Sequence, residues 1–171
     1  MTTPDQDKEL EIGLEHHTAG RLQEAEKIYR QILEKNPRHA GALHFLGAMA
    51  LQMKRYKEGA DLIRQAIAID PSVPEYHNNL GSALMMLAGC LPEAIASLQK
   101  AIALKPDFGD AFHNLGIAYV ALSRMQMQDE QIDEAADSAQ KAIALKPVFA
   151  DACCSLPEFV RCREKSTNRF D

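Results

Sequence analysis

The side chains best able to carry chemistry in this 171-residue sequence are six histidines and four cysteines. They are His16, His17, His39, His44, His77 and His113, and Cys90, Cys153, Cys154 and Cys162. A structural zinc site or a redox pair needs ligands held at a short fixed spacing, as in Cys-x-x-Cys. No such pair occurs, and neighbours such as Cys153 and Cys154 rarely bond to each other. His16 and His17 are adjacent, so on a helix they point to different faces and make poor joint ligands. His44 and His113 would flank a common surface with Glu75 and Asp110 only if separate stretches of chain converged. Phosphate-binding glycine loops are absent, because the glycines fall inside helical patterns. The expectation is a chain that is not an enzyme, uses no cofactor and no metal, and keeps its cysteines as reduced thiols.

Two asparagines make a different kind of candidate. Asn79 and Asn114 each stand immediately before a Leu-Gly pair. A carboxamide both donates and accepts hydrogen bonds.

The elements that position these residues emerge from self-similarity. Gln23-Glu24-Ala25, Lys57-Glu58-Gly59, Pro92-Glu93-Ala94 and Asp133-Glu134-Ala135 are four versions of one segment. Each is followed 12 residues later by a proline: Pro37, Pro71, Pro106 and Pro147. Ten residues beyond those come Gly47, Gly81, Gly116 and finally Pro157, with Gly13 in the same role upstream. Leu22, Ala25, Ile28, Tyr29, Ile32 and Leu33 recur at three- and four-residue steps, which is one face of a helix. Leu62, Ile63, Ala66, Ile67 and Ile69 repeat that stripe. The X-Pro pairs end the second helix of each unit, because the residue before proline is pushed out of helical geometry. Pro92 fits the first turn of a helix, where its missing N–H costs nothing. Small residues such as Gly47 and Gly59 let paired helices approach closely.

These motifs resemble the tetratricopeptide repeat (TPR), W-x2-L-G-x2-Y, then A-x3-F, then P, over 34 residues. The first part reads Leu43-x2-Leu46-Gly47-x2-Ala50, His77-x2-Leu80-Gly81-x2-Leu84 and Phe112-x2-Leu115-Gly116-x2-Tyr119, with Glu9-x2-Ile12-Gly13-x2-His16 as a weaker copy. The second reads Ala25-x3-Tyr29, Gly59-x3-Ile63, Ala94-x3-Leu98 and Ala135-x3-Ala139. The resemblance implies an all-α, right-handed α-solenoid: one domain over 6–164, with repeats at about 6–39, 40–73, 74–108 and 109–149. A capping helix is expected at about 150–164, split or kinked by Pro157, with flexible tails at 1–5 and 165–171. Spacing departs from the ideal twice. One extra residue near Met85, Met86 and Leu87 implies a bulged turn or a longer loop. Seven more at 124–131 amount to about two helical turns, and the helix formers there favour 124–128 prolonging the first helix of their repeat over the alternative of a polar loop.

The resemblance also implies a binding surface, a concave groove lined by the first helix of each repeat. Its expected residues are Leu14 from the first repeat, Phe45 and Ala48 from the second, Glu75, Asn79, Ser82 and Met86 from the third, and Asp110, Asn114 and Ile117 from the fourth. Leu10, Glu11, Thr18, His44, Gln52, Asn78, His113 and Ala121 share that face. Asn79 and Asn114 resemble the asparagine ladder of the TPR superhelix of O-GlcNAc transferase, which holds an extended peptide through its backbone; the alternative is that they only hydrogen-bond the neighbouring repeat. The lysine–arginine–asparagine clamp of chaperone-tail-binding TPR proteins is not matched, because Asp7, Glu11, Phe45, Glu75 and Asp110 occupy that surface and would repel an acidic tail. The implied partner is a peptide or protein with basic and apolar residues.

Composition narrows the alternatives. A net charge of −5 disfavours nucleic acid, and no apolar run approaches the ~20 residues of a membrane span. The polar, acidic start carries no secretory signal, which makes a cytoplasmic protein the expectation. Three readings stay open: an independent adaptor or scaffold, a regulatory or substrate-docking portion of a glycosyltransferase-type enzyme, and a homo-oligomer that assembles through its own repeats.

Overall fold

A computed structural model describes residues 4–128 and, beyond them, Asp137, Gln140, Lys141 and Ala144. The expected second helix of the fourth repeat falls almost entirely outside those residues. The capping helix at 150–164, Pro157, the C-terminal tail and the cysteines Cys153, Cys154 and Cys162 lie outside the described residues altogether.

Seven helices follow one another among the described residues: α1 Pro4–Thr18, α2 Leu22–Lys35, α3 Ala40–Gln52, α4 Tyr56–Ile69, α5 Pro74–Met85, α6 Leu91–Leu104 and α7 Gly109–Gln128. They pair as antiparallel hairpins, α1 with α2, α3 with α4 and α5 with α6, and each hairpin packs on the next. The result is the expected all-α solenoid. Asn36, Asp70 and Lys105, the residues before Pro37, Pro71 and Pro106, close α2, α4 and α6 with φ of −142°, −137° and −137°. That extended backbone is what a following proline imposes. Pro74 and Pro92 occupy the first turns of α5 and α6, as their ring geometry favours.

Two boundaries sharpen the sequence reading. α1 begins at Pro4, inside the stretch expected to be a flexible tail. Proline at the first helical position and the carboxylates of Asp5 and Asp7 in the first turn both favour starting there. In the third repeat the extra residue lengthens the loop after α5, where Met86, Leu87 and Cys90 donate short turn bonds to Ala83, Leu84 and Leu87. α7 runs unbroken through 124–128, giving 20 residues against 12 in α5.

The hairpins close on small residues. A Cβ on Gly81 would sit 2.5 Å from Leu98, and one on Gly13 would sit 2.5 Å from the Tyr29 ring. Between them lies the core: Ala25, Tyr29 and Ile32 from α2, Ile63 and Ala66 from α4, Leu84 from α5, and Leu98 and Ala101 from α6, all fully buried. Each large apolar side chain so enclosed contributes about 1.5–3 kcal/mol.

Adjacent first helices touch, α1 with α3, α3 with α5 and α5 with α7, while successive second helices make no comparable approach. Long side chains bridge that outer layer instead, as Arg64 of α4 does to Glu93 of α6 at 2.9 Å. The closer layer of a curved stack is its inner one, so α1, α3, α5 and α7 form the concave wall.

Candidate functional site

Each inner helix presents residues spaced three and four apart, so the same face recurs in every repeat. Leu14, Met86 and Ile117 are apolar yet exposed, at 38%, 58% and 41%. Phe45, Ala48, Asn79, Ser82 and Asn114 are half-buried beside them, and Glu75 and Asp110 stand exposed at the N-terminal ends of α5 and α7. Glu75 lies 3.8 Å from the ammonium of Lys105, a loose surface pair. Lys105 also sits 5.0 Å from the centre of the Phe108 ring.

A chain of hydrogen bonds crosses this face through three helices. The Asn79 carboxamide donates to His44 Nε2 of α3 at 2.8 Å, and Asn78 donates to Asn79 Oδ1 at 3.3 Å. Asn114 of α7 donates both to Asn78 Oδ1 at 2.9 Å and to Ser82 Oγ at 3.1 Å. The Ser82 hydroxyl in turn donates to the main-chain carbonyl of Asn78 at 3.1 Å. Asn79 and Asn114 are therefore bonded to neighbouring repeats as well as facing the groove.

His44 completes this chain only when neutral, because Nε2 must keep its lone pair to accept from Asn79. Burial enforces that state. Loss of water around the ring pushes its pKa down to about 4, against an opposing pull from the Glu75 carboxylate and with a smaller push from His17. The ring also lies 4.5 Å from Tyr76 and 5.1 Å from Phe45, centre to centre. Phe45 stacks on Tyr29 at 5.6 Å, and Tyr29 meets His17 edge-on at 6.3 Å. The wall is thus aromatic across α1 and α3 and carboxamide-lined across α5 and α7. Tyr29 is wholly enclosed, and burial lifts its phenol to about 12.

Four more histidines have partners of their own. His39 caps α3 by accepting from the Ala42 N–H at 3.2 Å, His77 Nε2 meets the Pro71 carbonyl at 2.9 Å, and His16 accepts from Arg21 at 2.9 Å. His17 pairs with Gln52 at 3.0 Å. Among the described residues no three histidine, cysteine or acidic side chains gather as a metal site would need, and no helix is long and apolar enough to cross a membrane.

The repeat register put His44 and Asn78, three residues before Gly47 and Gly81, on the same expected face as Asn79, Asn114 and Ser82, but not the bonds that join them.

A two-layer helical solenoid with a lined inner wall belongs to the class of protein-interaction modules. Models of the tetratricopeptide repeat match residues 16–84 and 88–123, and the chain belongs to the TPR family. Its fold is that of the MamA protein, with a TM-score of 0.71 over 96% of this chain and 87% of that one at 24% identity. The O-GlcNAc transferase of Thermobaculum terrenum matches 84% of this chain at 30% identity and a TM-score of 0.66. Cellulose synthase 2 operon protein C of Komagataeibacter xylinus is 34% identical over 89 residues. The chain spans 27% of the transferase chain and 7% of the operon protein.

Proposed function

We propose that the wall formed by α1, α3, α5 and α7 binds an extended segment of another protein that carries basic and apolar residues. The observation that carries this reading is the row of exposed apolar side chains, Leu14, Met86 and Ile117, beside the carboxamides of Asn79 and Asn114. Water-exposed apolar groups flanking groups that donate and accept suit a partner whose main chain is held and whose side chains are packed. Glu11, Glu75 and Asp110 add negative charge to the same wall and favour a basic segment. The chain then acts without catalysis, as an adaptor or scaffold in a cytoplasmic setting.

The test is capture of partners from cell extract by the intact chain and by a Leu14→Asp, Ile117→Asp double variant. Both positions are exposed, so helicity and melting temperature stay unchanged while groove partners are lost. Partners retained at full strength by a folded double variant would place binding elsewhere. Asn79→Ala and Asn114→Ala are less discriminating, because each also removes a bond between repeats.

A second reading draws on the similarity to the Thermobaculum terrenum O-GlcNAc transferase: the same groove docks substrates for a glycosyltransferase. A catalytic domain in the same polypeptide, together with loss of glycosyl transfer to protein but not to short acceptors in the double variant, would favour it. Assembly of copies through the repeats is a third reading, and sedimentation as a monomer at high concentration would exclude it.

A further inference from the structure

The hydrogen-bond chain across the inner helices has a direction, and its Ser82 end fixes that direction. Ser82 has one hydroxyl proton, which goes to the main-chain carbonyl of Asn78 at 3.1 Å. Its oxygen is left to accept, so the Asn114 group that meets it at 3.1 Å must be the NH2. The same NH2 serves Asn78 Oδ1 at 2.9 Å, which commits both of its protons. At the other end the neutral His44 ring accepts from the Asn79 NH2 at 2.8 Å. Reversing the Asn114 amide would set acceptor against acceptor at Ser82, and reversing Asn78 alone would set donor against donor between Asn78 and Asn114. Asn114 Oδ1 is left over, with no protein partner among the described residues.

Two neighbours on α7 extend what that oxygen offers. Asp110 lies one turn before Asn114 and Ile117 one turn after it, all on one helix face. The Asp110 carboxylate is exposed and has no ion-pair partner among the described residues, and Ile117 is 41% exposed. Along the helix the face therefore reads anion, neutral acceptor, apolar patch. A lysine or arginine side chain matches that order, with its aliphatic stem on Ile117 and its charged head at Asn114 and Asp110.

We propose that Asp110, Asn114 and Ile117 form a subsite for a lysine or arginine side chain of the bound segment, and that Ser82 is a positioning residue that turns the Asn114 carbonyl oxygen toward it. This rests on the reading that the groove binds a peptide segment, and it assigns one side chain of that segment.

The probe is a set of capped nine-residue peptides, alanine- and serine-based, with arginine, lysine, norleucine, glutamine or glutamate at the central position. Binding is read by fluorescence anisotropy and by the shift of the Asn114 side-chain amide resonance. The arginine and lysine peptides are expected to bind at least about tenfold more tightly than the norleucine peptide. Asp110→Asn and Ser82→Ala are expected to reduce that preference to less than about threefold. Equal affinity for arginine, norleucine and glutamate peptides in the unaltered protein would overturn the subsite and leave the groove reading standing. A preference that survives Asp110→Asn and Ser82→Ala unchanged would do the same. No binding by any peptide and no movement of the Asn114 resonance would overturn both.

Discussion

The Asn79 carboxamide meets His44 Nε2 at 2.8 Å, tying the first helix of the third repeat to that of the second. This bond requires an unprotonated nitrogen on a buried ring whose pKa is pushed down to about 4. A group with a folded pKa below its unfolded value of about 6.5 contributes stability that is fully present above pH 6.5. That contribution declines as pH falls and is lost through the folded pKa near 4, where protonation also breaks the Asn79 bond. The full effect is on the order of 3 kcal/mol. His44→Asn supplies an acceptor that does not titrate. Urea unfolding at pH 7, 5 and 4 should show a steeper fall in midpoint for the unaltered protein than for this variant. Parallel curves would remove His44 from the pH response.

Gly59 of α4 gives a second prediction. A Cβ there would lie 2.9 Å from the Gly47 carbonyl oxygen and 2.5 Å from the Leu51 side chain. The backbone oxygen cannot rotate away, so alanine must separate α3 from α4. The helix propensity gained by replacing glycine is about 0.5–1 kcal/mol. Overpacking a close helix contact costs about 1–3 kcal/mol. Gly59→Ala should therefore lower the unfolding free energy by a net ~1–2 kcal/mol. Chemical denaturation checks it, and a neutral or stabilising result would show that the hairpin opens freely.

The turn between α3 and α4 holds a correctable strain. Lys54 has φ of 60°, whereas the matching turns use Gly20 and Gly89, both at 75°. Arg21 and Arg55 donate to the carbonyls of His16 and Ala50 at 2.9 and 2.8 Å, the closing bond of a left-handed helix cap. A side chain in that conformation costs about 1 kcal/mol. Lys54→Gly should stabilise the protein by roughly 0.5–1 kcal/mol, and Gly20→Ala should destabilise it by a similar amount. Thermal melts of the two variants should move in opposite directions.

Much of this architecture was legible because repeats turn weak local signals into register. One Leu-x2-Leu-Gly segment says little, but Gly13, Gly47, Gly81 and Gly116 at matched places in successive segments define helix pairs and their contact faces. The same register put Asn79 and Asn114 at equivalent places on one face of their helices. What could not be read was the internal wiring of that face. Asn79 and Asn114 sit at equivalent positions, yet Asn79 bonds His44 while Asn114 bonds Asn78 and Ser82. The difference comes from the preceding repeat, which supplies an imidazole in one case and a carboxamide and hydroxyl in the other. Partners 35, 36 and 32 residues apart in sequence are set by how hairpins stack, and no local pattern encodes them.

Arg64 and Glu93 supply the last prediction, and its expected size is small. Their ion pair links the second helices of successive repeats at 2.9 Å, with a further contact from Arg64 to Asp61 at 3.2 Å. These bonds hold the guanidinium charged and raise its pKa, the hydrogen bond to Glu93 being the largest cause. Both side chains of the Arg64–Glu93 pair remain about half exposed, however, so water and salt screen the attraction. The hairpins they join already share the buried interface of α4 with α5. Glu93→Gln should therefore cost less than about 1 kcal/mol at low salt and close to nothing at 1 M salt. Gly59→Ala, which acts through packing, should keep its full effect in both conditions. A loss from Glu93→Gln that persisted at high salt would mean that the outer layer, rather than the buried hairpin contacts, holds the repeats in line.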